Sequence, residues 1–284
     1  FYLLIFLLVL IVSSTTNKLL PFLPMPLIQI LLGIGIGLCL PNNQYHLDTE
    51  LFLALVIGPL LFREAQEADI TSILKHWKIV LYLIFPVIFV STLSMGGLAH
   101  VLWASLPLAA CVAVGAALGT TDLVAFASLS ERFIFPKRIS NILKGEGLLN
   151  DASGLIAFRV ALIAWTTGTF SLTQAGTSLA ISIVGGFAVG FITALINRFL
   201  HTFLLSVRST DIASELLLDL SLPLLTFFIA EEIHVSGIIA VVVAGILKAS
   251  RFKKINLLEA QVDTVTETVW HTVTFMLNGS VFVL

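Results

Sequence analysis

Charge is what this sequence has least of. Its 284 residues carry 15 Lys and Arg against 17 Asp and Glu, 11% in all, while 58% are hydrophobic. A soluble domain carries roughly a quarter charged residues, so this composition excludes an ordinary water-soluble fold. No basic run with interleaved aromatics occurs, and a formal net charge of −2 offers nothing to attract nucleic acid. Cysteine is almost missing: Cys39 and Cys111 stand in separate apolar runs, without zinc or redox spacing, and read as free core thiols. The six histidines, at 46, 76, 100, 201, 234 and 271, are too scattered for a transition-metal site. No signal peptide is identified. The chain opens on Phe1 and stops at Leu284, each inside an apolar run, the pattern expected of a piece of a longer protein.

What remains is hydrophobic stretches. About 20 apolar residues cross a bilayer as a helix, and by that rule ten spans are expected, at roughly 1–14, 22–40, 50–62, 79–102, 107–130, 147–168, 174–198, 213–232, 234–249 and 263–284. The expected fold class is therefore an all-α polytopic membrane protein. Fourteen of the fifteen basic residues fall in alternate connections, and the intervening ones (41–49, 100–107, 168–174, 232–234) hold no Lys or Arg. The positive-inside rule makes the basic side cytoplasmic and the N-terminus external. The fifteenth, Arg159, stands within the sixth span, where a structural role is the simpler reading. Glycines at 33, 35 and 37 and at 185, 186 and 190 are expected to let helices approach closely. Gly33-Ile-Gly-Ile-Gly37 is no dinucleotide loop, since it sits mid-span with no acidic residue at the required distance.

Against this background a few polar residues stand out. In Gly115-Ala-Ala-Leu-Gly-Thr-Thr-Asp122, Gly119 weakens the helix and the threonines offer competing hydroxyls, ahead of an Asp about midway through a span. Broken helices are tolerated in membranes only where freed backbone groups find protein or water, and in transporters they build ion sites. Asp122 could equally only hydrogen-bond a neighbouring helix. In Gly145-Glu-Gly-Leu-Leu-Asn-Asp151, Glu146 and Asn150 share a helical face and Asp151 is turned by about 100° from Asn150. A carboxylate short of water has its pKa raised. One such group near cellular pH holds either a proton or a hard cation, and exchange follows from that competition. Thr121, Asp122, Asn150 and Asp151 all offer oxygen ligands suited to Na⁺ or Li⁺. Glu64 ends the third span, where a solvated loop charge is the plainer reading, and Glu215 and Asp219 are expected at the interface.

Thr121-Asp122, the basic loop Phe135-Pro-Lys-Arg138 and Gly145-Glu-Gly-Leu-Leu-Asn-Asp151 together resemble the sodium–proton exchanger branch of the monovalent cation:proton antiporters. Pro26 with the glycines to Gly37, Gly58-Pro-Leu-Leu-Phe62, Ser236-Gly-Ile-Ile-Ala-Val-Val-Val-Ala-Gly245 and Phe275-Met-Leu-Asn-Gly279 extend the likeness through the chain. The resemblance implies an inverted-repeat fold with a dimerisation domain and a mobile core. The core's first repeat would fall at about 50–168, and the scaffold helices at about 1–40 and 174–198. It implies Na⁺ at Asp151, Asp122 and Thr121, with Asn150 helping, Glu146 bracing Asn150 and Glu64 a further helper. It also implies electroneutral exchange, a homodimer in the plasma membrane and no organic cofactor. Gly147 replaces a usual Ser, and Leu123 a usual Pro, so the ligand set and the depth of the helix break depart from the family pattern. A second broken helix and a family arginine would lie beyond Leu284.

The reading is a sodium (or lithium or potassium)–proton antiporter working by alternating access, and not an enzyme. A sodium-coupled symporter of similar fold and a non-transporting relative are the alternatives. An intramembrane aspartyl protease lacks support, since neither Asp122 nor Asp151 follows Gly-x-Gly.

Overall fold

The computed structural model describes residues 2–20, 22–39, 48–68, 71, 75, 77–120, 135–167, 172–206, 212–249 and 257–283. Among them are eleven α-helices and no strand. These are α1 (Tyr2–Leu19), α2 (Met25–Cys39), α3 (Thr49–Phe52), α4 (Gly58–Glu67), α5 (Trp77–Leu102), α6 (Leu108–Leu118), α7 (Lys137–Thr167), α8 (Leu172–Ser206), α9 (Ile212–Glu232), α10 (Gly237–Ala249) and α11 (Leu257–Val283).

Local chemistry explains the boundaries. Asp48 caps α3, its Oδ1 accepting from Glu50 N at 3.0 Å and Leu51 N at 3.2 Å. Between α3 and α4 the helix widens into a π turn, Leu53–Ile57, closed by Gly58 N donating to Leu53 O. Pro59 has no N–H for the carbonyl four residues earlier, and the wider turn absorbs that mismatch. Ser236 Oγ accepts from Ile239 N at 3.3 Å and Glu231 Oε1 from Gly237 N at 3.1 Å, which together start α10. Helix α7 begins at Lys137, ten residues before the apolar run, so Lys137, Arg138 and Lys144 are helical rather than in a loop. Pro136, whose carbonyl accepts from Ile139 and Ser140, opens that extra length.

The helices pack in two groups. Helices α5, α6 and α7 lie against one another; α4, α8, α9, α10 and α11 form the second group, with α1 and α2 joined to it through α11, and α4 touches α7. The buried centre of the second group holds Phe62, Leu222, Phe227, Val241 and Trp270. Phe62 and Trp270 rings sit 5.8 Å apart, within the range of favourable aromatic contact.

Stretches 180–203 and 212–232, of 24 and 21 residues, are long and apolar enough to cross a bilayer. The outer face of α8 exposes Phe187, Phe191, Phe199 and Phe203. An apolar surface of that extent suits lipid and not water, and the fold is that of an all-α polytopic membrane protein.

Three expectations change. A Cβ at Gly190 would come to 2.2 Å from Ala240 O, and one at Gly33 to 2.3 Å from Val283 O, so both mark close approaches. Gly35 and Gly37 instead face open space, because α2 turns that side away from its neighbours. Asp219 is not at a solvated interface: it pairs with Lys248 between α9 and α10, both side chains largely covered. Glu215 is likewise buried, its Oε2 3.9 Å from His201 Nε2. Of the two cysteines, Cys111 is a buried free thiol facing His100 and Leu106 O, whereas the Cys39 side chain lies outside the described residues.

Candidate functional site

Helix α7 carries an enclosed polar pair. Glu146 and Asn150 occupy successive turns, and Asn150 Nδ2 donates to Glu146 Oε1 at 2.9 Å. Both are enclosed, Asn150 at 0% and Glu146 at 7% exposure. A bond of this kind fixes which way the amide presents its oxygen, since the nitrogen is committed to the carboxylate. Asp151 follows on the same helix, about 100° round from Asn150; its side chain, like that of Arg159, lies outside the described residues.

Thr121 and Asp122 also lie outside the described residues, but the chain that leads to them does not. Helix α6 stops at Leu118, and residues 119 and 120 bend away from helical bonding. Gly119 is the residue at which the helix stops, where the sequence places the weak point. The C-terminal end of a helix carries the negative end of its dipole, which favours a cation.

This helix end rests on both of its neighbours. A Cβ at Gly154 would come to 2.1 Å from Thr120 Cγ2 and 3.6 Å from Ala116 O. Gly154 lies three residues after Asp151, so the turn following that carboxylate is packed on the residue preceding Thr121. On the other side, a Cβ at Gly115 would come to 2.2 Å from Thr92 O and 2.6 Å from Gly96 N. One at Gly119 would come to 3.1 Å from Ser91 Cβ. Glycines at these points bring three helices together around the end of α6.

Glu64 stands on α4, half-buried, with Oε2 enclosed, on the helix that touches α7. Its neighbour Arg63 turns elsewhere, to Glu67 Oε1 at 2.8 Å and to Glu267 on α11. Thr92, which sequence reasoning passed over, is buried beside the helix end at 7% exposure. It is one of three hydroxyl residues in 91–94, and no pattern in the sequence distinguishes it from the other two.

The family described as sodium/hydrogen exchanger, transmembrane, matches residues 3–284. A protein of Bacillus subtilis (strain 168) named sodium, potassium, lithium and rubidium/H(+) antiporter is 37% identical over 282 residues, 99% of this chain and 42% of that protein. Its namesake from Bacillus pumilus (strain SAFR-032) is 36% identical over 272 residues, covering 96% of this chain and 40% of the relative. A Na(+)/H(+) antiporter NhaH of Halobacillus dabanensis is 30% identical over 266 residues, covering 90% and 65%. The chain thus spans about two fifths of the length of the two Bacillus relatives.

Proposed function

Since this chain belongs to the sodium/hydrogen exchanger family, we propose that it forms the cation-binding part of an antiporter exchanging Na⁺, and with it Li⁺ or K⁺, for protons. Asp151 is the shared carboxylate: it loses a proton to one side, takes the cation, and releases it on the other. Asn150, Asp122 and Thr121 supply further oxygens, Glu146 holds Asn150, and Glu64 is a helper from α4. With one acid in the Asn150-Asp151 pair, exchange is electroneutral. The protein works in the plasma membrane as a homodimer, with the basic connections cytoplasmic and the N-terminus outside. Alternating access follows if the group containing α5, α6 and α7 shifts against the rest.

The observation that carries this reading is the enclosed bond from Asn150 to Glu146 beside Asp151, next to an α6 that ends at the residues leading to Thr121 and Asp122. A buried amide locked in one orientation, next to a carboxylate and an interrupted helix, provides oxygen ligands on rigid elements. Competition for one carboxylate sets the pH dependence: as pH falls, protons displace the cation and more Na⁺ is needed for half-maximal exchange.

The test uses the full-length protein in vesicles that carry a pH gradient and a pH dye. Wild type should show Na⁺-dependent dequenching, and Asp151→Ala should lose it. Exchange retained by a folded Asp151→Ala protein overturns the proposal.

A further inference from the structure

The α5–α6 hairpin brings together two side chains that stand 11 positions apart in the chain. Cys111 Sγ lies 3.9 Å from His100 Nδ1, and Leu106 O lies 3.9 Å from the same sulfur. Backbone packing sets this meeting. A Cβ at Gly96 would come to 3.0 Å from Cys111 O, so the two helices nearly touch one turn before His100. His100 follows Gly96 by four residues and shares its face of α5. The connection is tied down by Trp103 N donating to Ala99 O at 2.8 Å, Leu106 N to Trp103 O at 3.0 Å and Cys111 N to Pro107 O at 3.1 Å. Both side chains thus stand on helices, in the last turn of α5 and the first turn of α6, which is what a precise site needs.

A thiol is a weak donor, and 3.9 Å to either partner is a long contact for it. The same distances suit an ion placed between the groups. With a metal–sulfur bond of about 2.3 Å and a metal–nitrogen bond of about 2.1 Å, the 3.9 Å separation closes at a sulfur–metal–nitrogen angle of about 125°. An oxygen bond of about 2.1 Å to Leu106 O closes at the same angle. Cys111 is wholly buried and His100 is exposed, so an ion enters from the imidazole side and keeps water there. The connection 100–107 carries no Lys or Arg to repel it.

We propose that Cys111 and His100 form a binding site for a thiophilic divalent cation, Zn²⁺ or Cd²⁺, which clasps the end of α5 to the start of α6. The thiol releases its proton to solvent as the ion binds, because the thiolate is the ligand. His100 supplies the Nδ1 lone pair, and Leu106 O is the third donor. Sulfur and imidazole do not suit hard cations, which favour oxygen donors. The site is therefore separate from that of the exchanged cation, and the inference does not rest on the exchange reading. Eleven residues with a connection between them match no metal-binding spacing, and only the hairpin makes the pair.

The test uses the full-length protein carrying Cys39→Ala, in detergent, with Cd²⁺ as the probe. Titration should produce a thiolate-to-Cd²⁺ charge-transfer band in the ultraviolet, together with proton release. Cys111→Ala should lose the band. His100→Ala should raise the Cd²⁺ concentration for half-saturation by at least about tenfold, the effect of losing one ligand. Saturating Cd²⁺ should raise the melting temperature of the Cys39→Ala protein by about 2–5 °C and leave that of Cys111→Ala unmoved. Because His100 is exposed, His100→Ala keeps the test decisive whatever Cys111→Ala does to folding. A half-saturation unchanged in His100→Ala means that a lone thiol takes the ion, and overturns the inference. Absence of the band in the Cys39→Ala protein at a large excess of Cd²⁺ overturns it as well.

Discussion

At the scale of single residues, Glu146 and Asn150 show how an apolar interior keeps a polar pair. Neither is exposed, and each gives the other a partner that lipid cannot. Replacing Glu146 by Ala removes the acceptor and should lower the unfolding free energy by about 1–3 kcal/mol, with a weaker cation affinity as Asn150 loses its orientation. Glu146→Gln keeps an acceptor oxygen and should stay close to wild type. Thermal unfolding in detergent and Na⁺ titration of exchange check the order, and a Gln variant as weak as the Ala variant would point to charge and not to hydrogen bonding. The four-residue spacing made this pair legible in the sequence, because i and i+4 face the same way on any helix. Thr92 was not legible. A hydroxyl in an apolar run satisfies itself by default, and only the packing of α6 against α5 reveals one that does not.

At the scale of elements, glycine has opposite consequences at different positions. Gly190 lets α8 approach the backbone of α10, and a methyl there meets a carbonyl oxygen that has no flexible side chain to yield. Gly190→Ala should therefore separate the two helices and cost about 1–3 kcal/mol, as overpacking does. Gly97, in the exposed face of α5, has nothing within 4 Å of its Cβ position. Gly97→Ala should be neutral or stabilise by up to about 1 kcal/mol through helix propensity. Paired melting curves measure both. The sequence offered Gly35, Gly37 and Gly190 on equal terms, and the partner helix alone separates them. The end of α6 at Gly119 was legible because helix breaking is local, whereas the Asp48 cap on α3 emerges only from the structure. The start of α7 at Lys137 was missed because hydropathy marks where a helix enters lipid and not where it begins.

At the scale of the molecule, the two packing groups allow a stability change to be placed away from the polar pair on α7. Asp219 and Lys248 join α9 to α10, in the group that does not contain α7. Asp219→Asn leaves a covered ammonium short of a carboxylate and should cost up to about 3 kcal/mol, with the apparent Na⁺ affinity unchanged. Asp219→Asn combined with Lys248→Met should recover part of the loss. A shift in Na⁺ affinity in the single variant would mean that the groups are coupled more tightly than their packing indicates.

The sequence by itself determined that this chain lives in a membrane as helices, because so few charges leave no other way to satisfy its backbone. It also marked the polar pair on α7 and the weak point of α6, since spacing along one helix and helix breaking are local properties. Only the tertiary structure decided which glycines touch a partner, that Asp219 is paired and not solvated, and that Thr92 lies enclosed beside the end of α6. Those outcomes depend on which faces of distant helices meet, and helices that are apolar nearly all round carry no periodic signal to fix that choice.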